Sequence, residues 1–179
     1  YTAGFLGAGN MGGALAQAAI RTAGAENVIL TCKTEAHTRA AAERLGCASG
    51  PAAEIVRSSR FVFLGVKPQM LSALAEELGG VIGEAECVLV SMLAGVTLER
   101  LEALFPGKRI LRIMPNTPCA VGSGMLFLCR GSLAAEQDAE VFRQLMACAG
   151  RIDEIPEKWM DAASAVAGCG PAFAYRFVQ

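Results

Sequence analysis

The feature that most constrains this chain is a glycine pattern close to its start. Gly7, Gly9 and Gly12 form G-x-G-x-x-G between a short apolar run, residues 3–6, and an alanine-rich helical pattern, residues 11–20. A strand, a tight turn and a helix in this order open a dinucleotide-binding fold. We expect Gly7 to permit the turn, Gly9 to let the backbone approach a pyrophosphate, and Gly12 to let the helix pack closely. The amide groups of the helix start would then bind the anion.

Strand and helix patterns alternate along the rest of the chain. The run RFVFLGV at residues 60–66 is apolar throughout, which is typical of a parallel strand buried on both faces. Such alternation predicts an α/β fold with a doubly wound, mostly parallel sheet of the Rossmann type. The other predicted strands are 3–6, 28–31, 47–49, 87–92, 109–114, 125–129 and 151–155, and the predicted helices include 35–45, 68–78, 97–105 and 134–149.

A change of pattern at Pro156 predicts a domain boundary. Residues 1–156 would form the dinucleotide-binding domain, and residues 157–179 the start of a helical domain. A helix is predicted from residue 157, interrupted at residues 168–171 (Gly-Cys-Gly-Pro) and resumed at Ala172. The first residue is not methionine, and the chain ends within a helical pattern, so we expect a fragment of a longer protein.

Composition narrows the classes of function. Apolar residues make up 53% of the chain and the formal net charge is −1, so we expect a globular protein with no nucleic-acid or membrane partner. The seven cysteines form no C-x-x-C pair and His37 is the single histidine, which predicts reduced thiols, no metal site and a cytoplasmic protein. Residues 3–20 are uncharged, but their glycines favour a buried strand, turn and helix over a membrane span.

The end of the second predicted strand bears on the choice of nucleotide. Folds that prefer NAD place an acidic residue there, about twenty positions after the glycines. This chain has Lys33 and Thr34 instead, which could bind the 2′-phosphate of NADP with help from Arg39. One charged hydrogen bond of this kind contributes about 1.5–3 kcal/mol. The alternative is that Lys33 is a solvated loop residue. We predict NADPH as the cofactor, with NADH as the second candidate.

Three loops follow later predicted strands, at residues 65–69, 94–96 and 114–118. The ligand of such a sheet lies at the carboxyl ends of its strands. Asn116 can donate and accept hydrogen bonds, so it could meet the nicotinamide carboxamide or a substrate. Each loop alone is equally compatible with ordinary loop structure, and together they favour a nicotinamide site. The predicted cofactor-binding residues are Leu6, Gly7, Gly9, Asn10, Met11, Gly12, Lys33, Thr34, Val66, Lys67, Pro68, Ala94, Gly95 and Asn116.

Five segments of the chain resemble pyrroline-5-carboxylate reductase. They are FLGAGNMG (5–12), FLGVKPQ (63–69), SMLAGV (91–96), RIMPNTP (112–118) and AVAGCGPAFAY (165–175). The resemblance implies an N-terminal NADP-binding domain and a helical dimerisation domain that builds a homodimer or larger homo-oligomer. It also implies hydride transfer from NADPH to the imine carbon C5 of 1-pyrroline-5-carboxylate, which gives L-proline in the last step of proline biosynthesis.

The chain departs from the family pattern at several positions. The family commonly has S-G-S-G-P-A-Y where this chain has Ala167, Cys169 and Phe173 in place of the hydroxylated residues. The family's substrate-binding stretch lies beyond residue 179, so we assign no catalytic residue and expect little activity of the isolated chain. His37 is expected to be solvated or structural. The residues we place near the substrate are Asn116, Gly168 and Gly170.

Two other interpretations stay open at this point. One is another reductase of the same architecture, such as a hydroxyacid dehydrogenase, whose second domain would present a lysine as the acid. This chain has Tyr175 and Arg176 after Gly170, and no lysine, which argues against it. The other is a non-catalytic module that binds NADP.

Overall fold

Eight strands form one sheet in the computed structural model, which describes residues 1–178. Their order across the sheet is β3-β2-β1-β4-β5-β6-β7-β8. The neighbouring pairs from β3 to β6 are parallel, β7 runs antiparallel to β6, and β8 runs parallel to β7. The predicted α/β fold with a mostly parallel Rossmann-type sheet is therefore confirmed. The strands are β1 (Ala3–Leu6), β2 (Val28–Thr31), β3 (Ala48–Ser49), β4 (Phe61–Leu64), β5 (Val88–Ser91), β6 (Arg109–Met114), β7 (Gly124–Arg130) and β8 (Gly150–Glu154).

Helices connect the strands, and their ends follow local capping rules. Thr34 and Thr97 each accept a hydrogen bond from a backbone N–H in the first turn of the helix that follows, and Gly46 ends a helix in the left-handed conformation with φ 67°. Among residues 1–178, no helix is long and apolar enough to cross a membrane. The helices are α1 (Asn10–Ala23), α2 (Glu35–Leu45), α3 (Ala52–Ser58), α4 (Leu71–Glu84), α5 (Leu98–Leu104), α6 (Glu136–Leu145) and α7 (Met160–Phe177).

Both faces of the sheet are buried, which explains the unbroken apolar runs of its central strands. Along β4, Phe61 and Phe63 join an apolar cluster with α1, α2 and α6, whereas Val62 and Leu64 join a second cluster with α3, α4 and α5. In the first cluster the rings of Phe5 and Phe63 stack with their centroids 4.3 Å apart. The packing holds the carboxyl ends of β1, β2 and β4 side by side, at the edge where a ligand would bind.

The predicted break in the last helix is wrong. Helix α7 runs without interruption through Gly168, Cys169, Gly170 and Pro171. Pro171 lacks an N–H and so leaves a carbonyl four residues earlier without its usual helical partner, but a side chain from outside the helix bonds to that carbonyl, as described below. The loss of one backbone hydrogen bond is thus compensated, and the helix continues. Pro156 lies between β8 and the short 3₁₀ helix that precedes α7, and its role as a domain boundary stays a prediction.

Candidate functional site

The turn between β1 and α1 is built from tightly packed glycine backbone. Gly7 has φ 107° and its N–H donates to the carbonyl of Thr31 at the end of β2, at 2.9 Å. A methyl group on Gly12 would overlap the carbonyl oxygen of Gly7, whereas a methyl group on Gly9 would meet no heavy atom within 4 Å. Gly9 is also the N-cap of α1 and has no side chain to cap the helix. The turn therefore leaves open space beside the positive end of α1.

Gly65, at the end of β4, completes this packing. Its N–H donates to the carbonyl of Leu6 at 2.9 Å, and a methyl group on Gly65 would overlap the carbonyl oxygen of Gly7. The two turns thus touch at the point where the strand order reverses direction, between β1 and β4. Ligands of open α/β sheets bind in the crevice at such a reversal. The sequence predicts residues 60–66 as a buried strand, but it gives no sign of the close approach of Gly65 to Gly7.

A cavity of about 890 Å³ opens at this reversal point. Six of the residues predicted to bind the cofactor line it: Leu6, Gly7, Gly9, Lys33, Val66 and Lys67. Its volume is within the range of about 300–1,000 Å³ that small-molecule sites occupy. Sequence reasoning missed the other lining residues, which are Ala8, Thr31, Cys32, His37, Ala40, Ala41, Arg44, Ala52, Gly65, Met70, Ala73, Leu74, Glu77 and Leu78.

The two ends of the lining differ in chemistry. Lys33, His37 and Arg44 supply nitrogen donors near β2 and α2, and donors of this kind suit phosphate groups. Side chains of Leu74 and Leu78 on α4 contribute an apolar wall, which suits a planar base. The helical spacing of the α4 residues was visible in the sequence, but the same spacing is typical of a helix that faces the core.

Hydrogen bonds within the β2–α2 turn fix the backbone around Lys33. The Thr38 hydroxyl oxygen accepts from the N–H of Cys32 at 2.8 Å and donates to the carbonyl of Thr34 at 3.0 Å. The hydroxyl oxygen of Thr34 accepts from the N–H of His37 at 3.2 Å. Thr34 therefore acts as a helix cap, outside the cavity lining, and Lys33 stands on an ordered turn.

Two arginines of α2 lie in different places. Arg39, predicted to assist Lys33, forms an exposed ion pair with Glu35 at 2.8 Å and does not line the cavity. Arg44 lines the cavity, and its guanidinium lies beside Gly13 in the first turn of α1. Arg44 is therefore the arginine of α2 that this structure places at the candidate site. Its position at the far end of α2 gave no signal in the sequence.

The remaining predicted residues lie outside the cavity lining. Asn10, Met11 and Gly12 form the first turn of α1, and Pro68 begins the 3₁₀ helix that follows β4. Ala94 and Gly95 form an exposed turn after β5, in which Gly95 has φ 72°. Gly168 and Gly170 lie on α7.

Asn116 joins the sheet to α7. It is 8% exposed, two residues after the end of β6, and its Oδ1 accepts from the N–H of Met125 at 2.9 Å. Its Nδ2 donates to the carbonyl oxygen of Ala167 on α7 at 3.1 Å. The structure thus brings Asn116 next to Gly168, although neither residue lines the cavity.

A buried arginine on β6 holds the start of α7. Arg112 is 2% exposed, and its guanidinium contacts Glu157 at 2.6 Å and Asp161 at 3.4 Å. Glu157 Oε1 also accepts from the N–H of Leu98 in the first turn of α5, at 2.7 Å. A buried charge of this kind needs partners, and these two carboxylates supply them to its two terminal nitrogens, whereas its buried Nε has no partner among the described residues. The one feature of the sequence that indicates this contact is the charge of Arg112 within the apolar strand RILRIM.

Four of the cysteine thiols are not activated. Burial, followed by the negative charge of Glu157, raises the pKa of the Cys129 thiol to about 11, and its Sγ donates to the carbonyl of Ile155 at 3.0 Å. Burial also raises the pKa of the Cys47, Cys87 and Cys119 thiols. These four side chains are therefore protonated near neutral pH and do not supply a thiolate nucleophile.

Comparison with known proteins relates the chain to NADP-dependent oxidoreductases. Residues 2–95 match the family model described as NADP oxidoreductase, coenzyme F420-dependent. The chain is 35% identical over 183 residues to pyrroline-5-carboxylate reductase 3 of Macaca fascicularis, covering 98% of this chain and 65% of the relative. It is 34% identical over 181 residues to pyrroline-5-carboxylate reductase of Pisum sativum, covering 100% of this chain and 66% of the relative. The chain therefore spans about 65% of the length of such relatives.

Solved structures give the same result. A pyrroline carboxylate reductase of Plasmodium falciparum with NADP bound has a TM-score of 0.87 and 28% identity, covering 99% of this chain and 66% of that one. The 1-pyrroline-5-carboxylate reductase of Streptococcus pyogenes has a TM-score of 0.88 and 26% identity, with coverage of 99% and 66%. Prephenate dehydrogenase of Aquifex aeolicus, at 17% identity and a TM-score of 0.75, shares the fold, with coverage of 98% and 69%.

Proposed function

The chain belongs to the NADP oxidoreductase family described as coenzyme F420-dependent and is a homologue of pyrroline-5-carboxylate reductase that spans its NADP-binding domain, and we propose on this basis that it serves the NADPH-dependent reduction of 1-pyrroline-5-carboxylate to L-proline. The observation that carries the proposal is the cavity at the strand reversal, which both Gly9 and Lys33 line. The likeness to reductases extends over the whole chain, including α7.

The residues at this edge fit a dinucleotide. The open space beside Gly9 and the uncapped start of α1 suit the pyrophosphate, with Asn10, Met11 and Gly12 contributing backbone amides. Lys33, with Thr34 beside it, would bind the 2′-phosphate. The tip of β2 carries no carboxylate that would repel this phosphate. Arg44 and Lys67 add positive charge to the same lining, and the one carboxylate among its described residues, Glu77, lies on α4 rather than at the tip of β2. This charge pattern favours NADPH, and NADH stays the second candidate.

The nicotinamide half would extend past β4 toward β5 and β6. Val66, Lys67 and Pro68 follow β4, and Ala94 and Gly95 follow β5, so their backbones lie along one edge of the sheet. We place the nicotinamide at these loops, with Gly168 and Gly170 of α7 on the far side. When bound, NADPH supplies the hydride, and the protein has to bind, orient and shield the reacting groups. A protonated imine accepts hydride readily, which agrees with the absence of an activated thiol among the cysteines described above.

The second domain is also part of the proposal. We propose that residues 157–179 begin a helical domain through which the protein forms a homodimer or a larger homo-oligomer. Several large apolar side chains of α7 are exposed, among them Val166 at 75% and Phe173 at 65%, and a patch of such side chains is typical of an interaction surface. The groups that bind the substrate carboxylate would come from this domain beyond residue 179. Cytoplasmic location is proposed from the cysteine usage alone.

A second candidate function is NADP binding without catalysis. It is favoured by one observation, the span of about 65% of the reductase relatives. The two functions are separated by assays with 1-pyrroline-5-carboxylate on this chain and on a form extended past residue 179 by its own sequence. We expect NADPH binding by both forms, proline formation by the extended form and little by this chain. Turnover of a hydroxyacid by the extended form, with none of 1-pyrroline-5-carboxylate, would reject the proposed reaction.

A further inference from the structure

The side-chain amide of Asn116 forms hydrogen bonds to other residues of the protein through both its nitrogen and its oxygen. One of its Nδ2 hydrogens bonds to Ala167 on α7 and its Oδ1 accepts from Met125 at the start of β7. The side chain is buried, so these bonds are formed away from bulk water. An amide held in this way ties together three segments of the chain: the end of β6, the start of β7 and the middle of α7.

The partner on α7 is not an arbitrary carbonyl. In an α-helix the carbonyl of residue 167 accepts from the N–H of residue 171, but residue 171 is proline and has no N–H. Ala167 is therefore the one carbonyl that Pro171 leaves free inside the helix, and a free carbonyl requires another donor when water is limited. Asn116 supplies that donor at 3.1 Å. Pro171 creates the acceptor that Asn116 uses.

A second contact fixes the same helix at its start. Met160 is fully buried, and Arg112 on β6 contacts Asp161 in the first turn of α7. Arg112 and Asn116 belong to the same strand and the loop that follows it, and they contact α7 at residues 161 and 167. These two contacts, one from the strand and one from the loop after it, define both the position of the helix along the sheet edge and its rotation.

We infer that Asn116 is a positioning residue that acts through α7 rather than as a direct ligand of cofactor or substrate. By binding the carbonyl that Pro171 frees, it holds the backbone of Gly168 and Gly170 at the sheet edge. The catalytic consequence of this inference rests on the proposed function, in which the nicotinamide and the substrate lie between this edge and α7. The pairing of Asn116 with Pro171 itself does not depend on which substrate the protein reduces.

The pairing is tested by a double-mutant cycle on the cofactor-free chain. Asn116→Asp keeps the acceptor for Met125 but replaces the donor toward Ala167 with a carboxylate oxygen. Pro171→Ala restores a helical N–H that can bond to the same carbonyl. The readout is backbone amide hydrogen exchange across α7. We expect Asn116→Asp to accelerate exchange in residues 164–170 by at least about tenfold. When Pro171→Ala is also present, the logarithm of this acceleration should be less than half as large.

Two results would overturn the inference. One is unchanged exchange in α7 on Asn116→Asp, which is what a residue that contacts only a bound ligand would give. The other is an equal effect of Asn116→Asp with and without Pro171→Ala, which would show that the two residues are not coupled. If Asn116→Asp does not fold, Pro171→Ala alone tests the pair, since the side-chain amide protons of Asn116 should then exchange faster than in the unaltered chain. Unchanged exchange of those protons would also contradict the inference.

The functional consequence is measured separately in the extended form. We expect Asn116→Asp to lower kcat for proline formation with a smaller change in KM for NADPH, and Pro171→Ala to restore part of kcat. If the extended form does not reduce 1-pyrroline-5-carboxylate at all, the proposed function fails while the exchange experiment still decides the positioning role.

Discussion

The carbonyl oxygen of Gly7 lies against the first turn of α1 at Gly12, where a methyl group would overlap it. Gly9 is two residues from Gly7 in the same turn, yet a methyl group there would meet open space. The two glycines therefore have different roles, one in packing the helix and one in leaving room for a ligand. This difference can be measured.

We predict that Gly9→Ala leaves the free energy of unfolding within about 0.5 kcal/mol of the unaltered chain but weakens NADPH binding, because the methyl group occupies the space beside the helix start. Gly12→Ala should reduce both stability and binding, because α1 must move away from Gly7. Urea denaturation and NADPH titration measure the two quantities. An equal loss of stability in both variants would contradict the assignment.

Lys33 should determine the preference for the 2′-phosphate. We expect Lys33→Asp to weaken NADPH binding by about tenfold to a hundredfold, as the loss of a charged hydrogen bond would do, with a much smaller effect on NADH. Arg39→Asp is the matched control, because Arg39 is paired with Glu35 outside the cavity lining. The same loss for NADPH and NADH on Lys33→Asp would remove Lys33 from the phosphate site.

Much of the fold could be predicted from the sequence because its signals are local. The glycine spacing predicts the first turn, and unbroken apolar runs such as residues 60–66 predict strands that are buried on both faces. Capping by Thr97 and the stop at Gly46 are also properties of a few neighbouring residues. Each of these features depends on residues that are adjacent along the chain.

The contacts that could not be predicted join distant residues. Arg112 and Glu157 are 45 positions apart, and Asn116 and Ala167 are 51 apart. The Gly-Cys-Gly-Pro segment at residues 168–171 predicts a helix break, because proline lacks an N–H. The donor that compensates for it comes from another element and could not be predicted from these residues. Arg44 was missed for a related reason, since only the packing of α2 beside α1 brings its guanidinium to Gly13.

The Arg112 contacts should contribute measurably to stability. Glu157→Gln keeps the shape of the side chain but removes the charge beside the buried guanidinium, and we expect a loss of about 1.5–3 kcal/mol in the free energy of unfolding. Asp161 is 86% exposed, so Asp161→Asn should cost less than about 1 kcal/mol. Urea denaturation of both variants gives the comparison. A larger loss for Asp161→Asn would show that the exposed carboxylate is the principal partner.

The Cys129 thiol should make stability fall at high pH. Its pKa is raised from 9.0 to about 11 by burial, so the folded chain holds this proton more tightly than the unfolded chain does. The stabilisation is complete below pH 9 and is lost as pH rises through about 11. The difference in unfolding free energy between the unaltered chain and Cys129→Ala should therefore shrink over this range. A difference that does not change with pH would contradict the prediction.

The most direct test of the account follows the hydride itself. The extended form of the protein is incubated with 1-pyrroline-5-carboxylate and NADPH that carries deuterium at the transferable position of its nicotinamide, and the proline formed is analysed by mass spectrometry and NMR. We predict L-proline with one deuterium at C5, and a large loss of its formation rate at limiting NADPH on Lys33→Asp. Proline formation without deuterium at C5, or no proline while a hydroxyacid is oxidised with NADP⁺, would contradict the account.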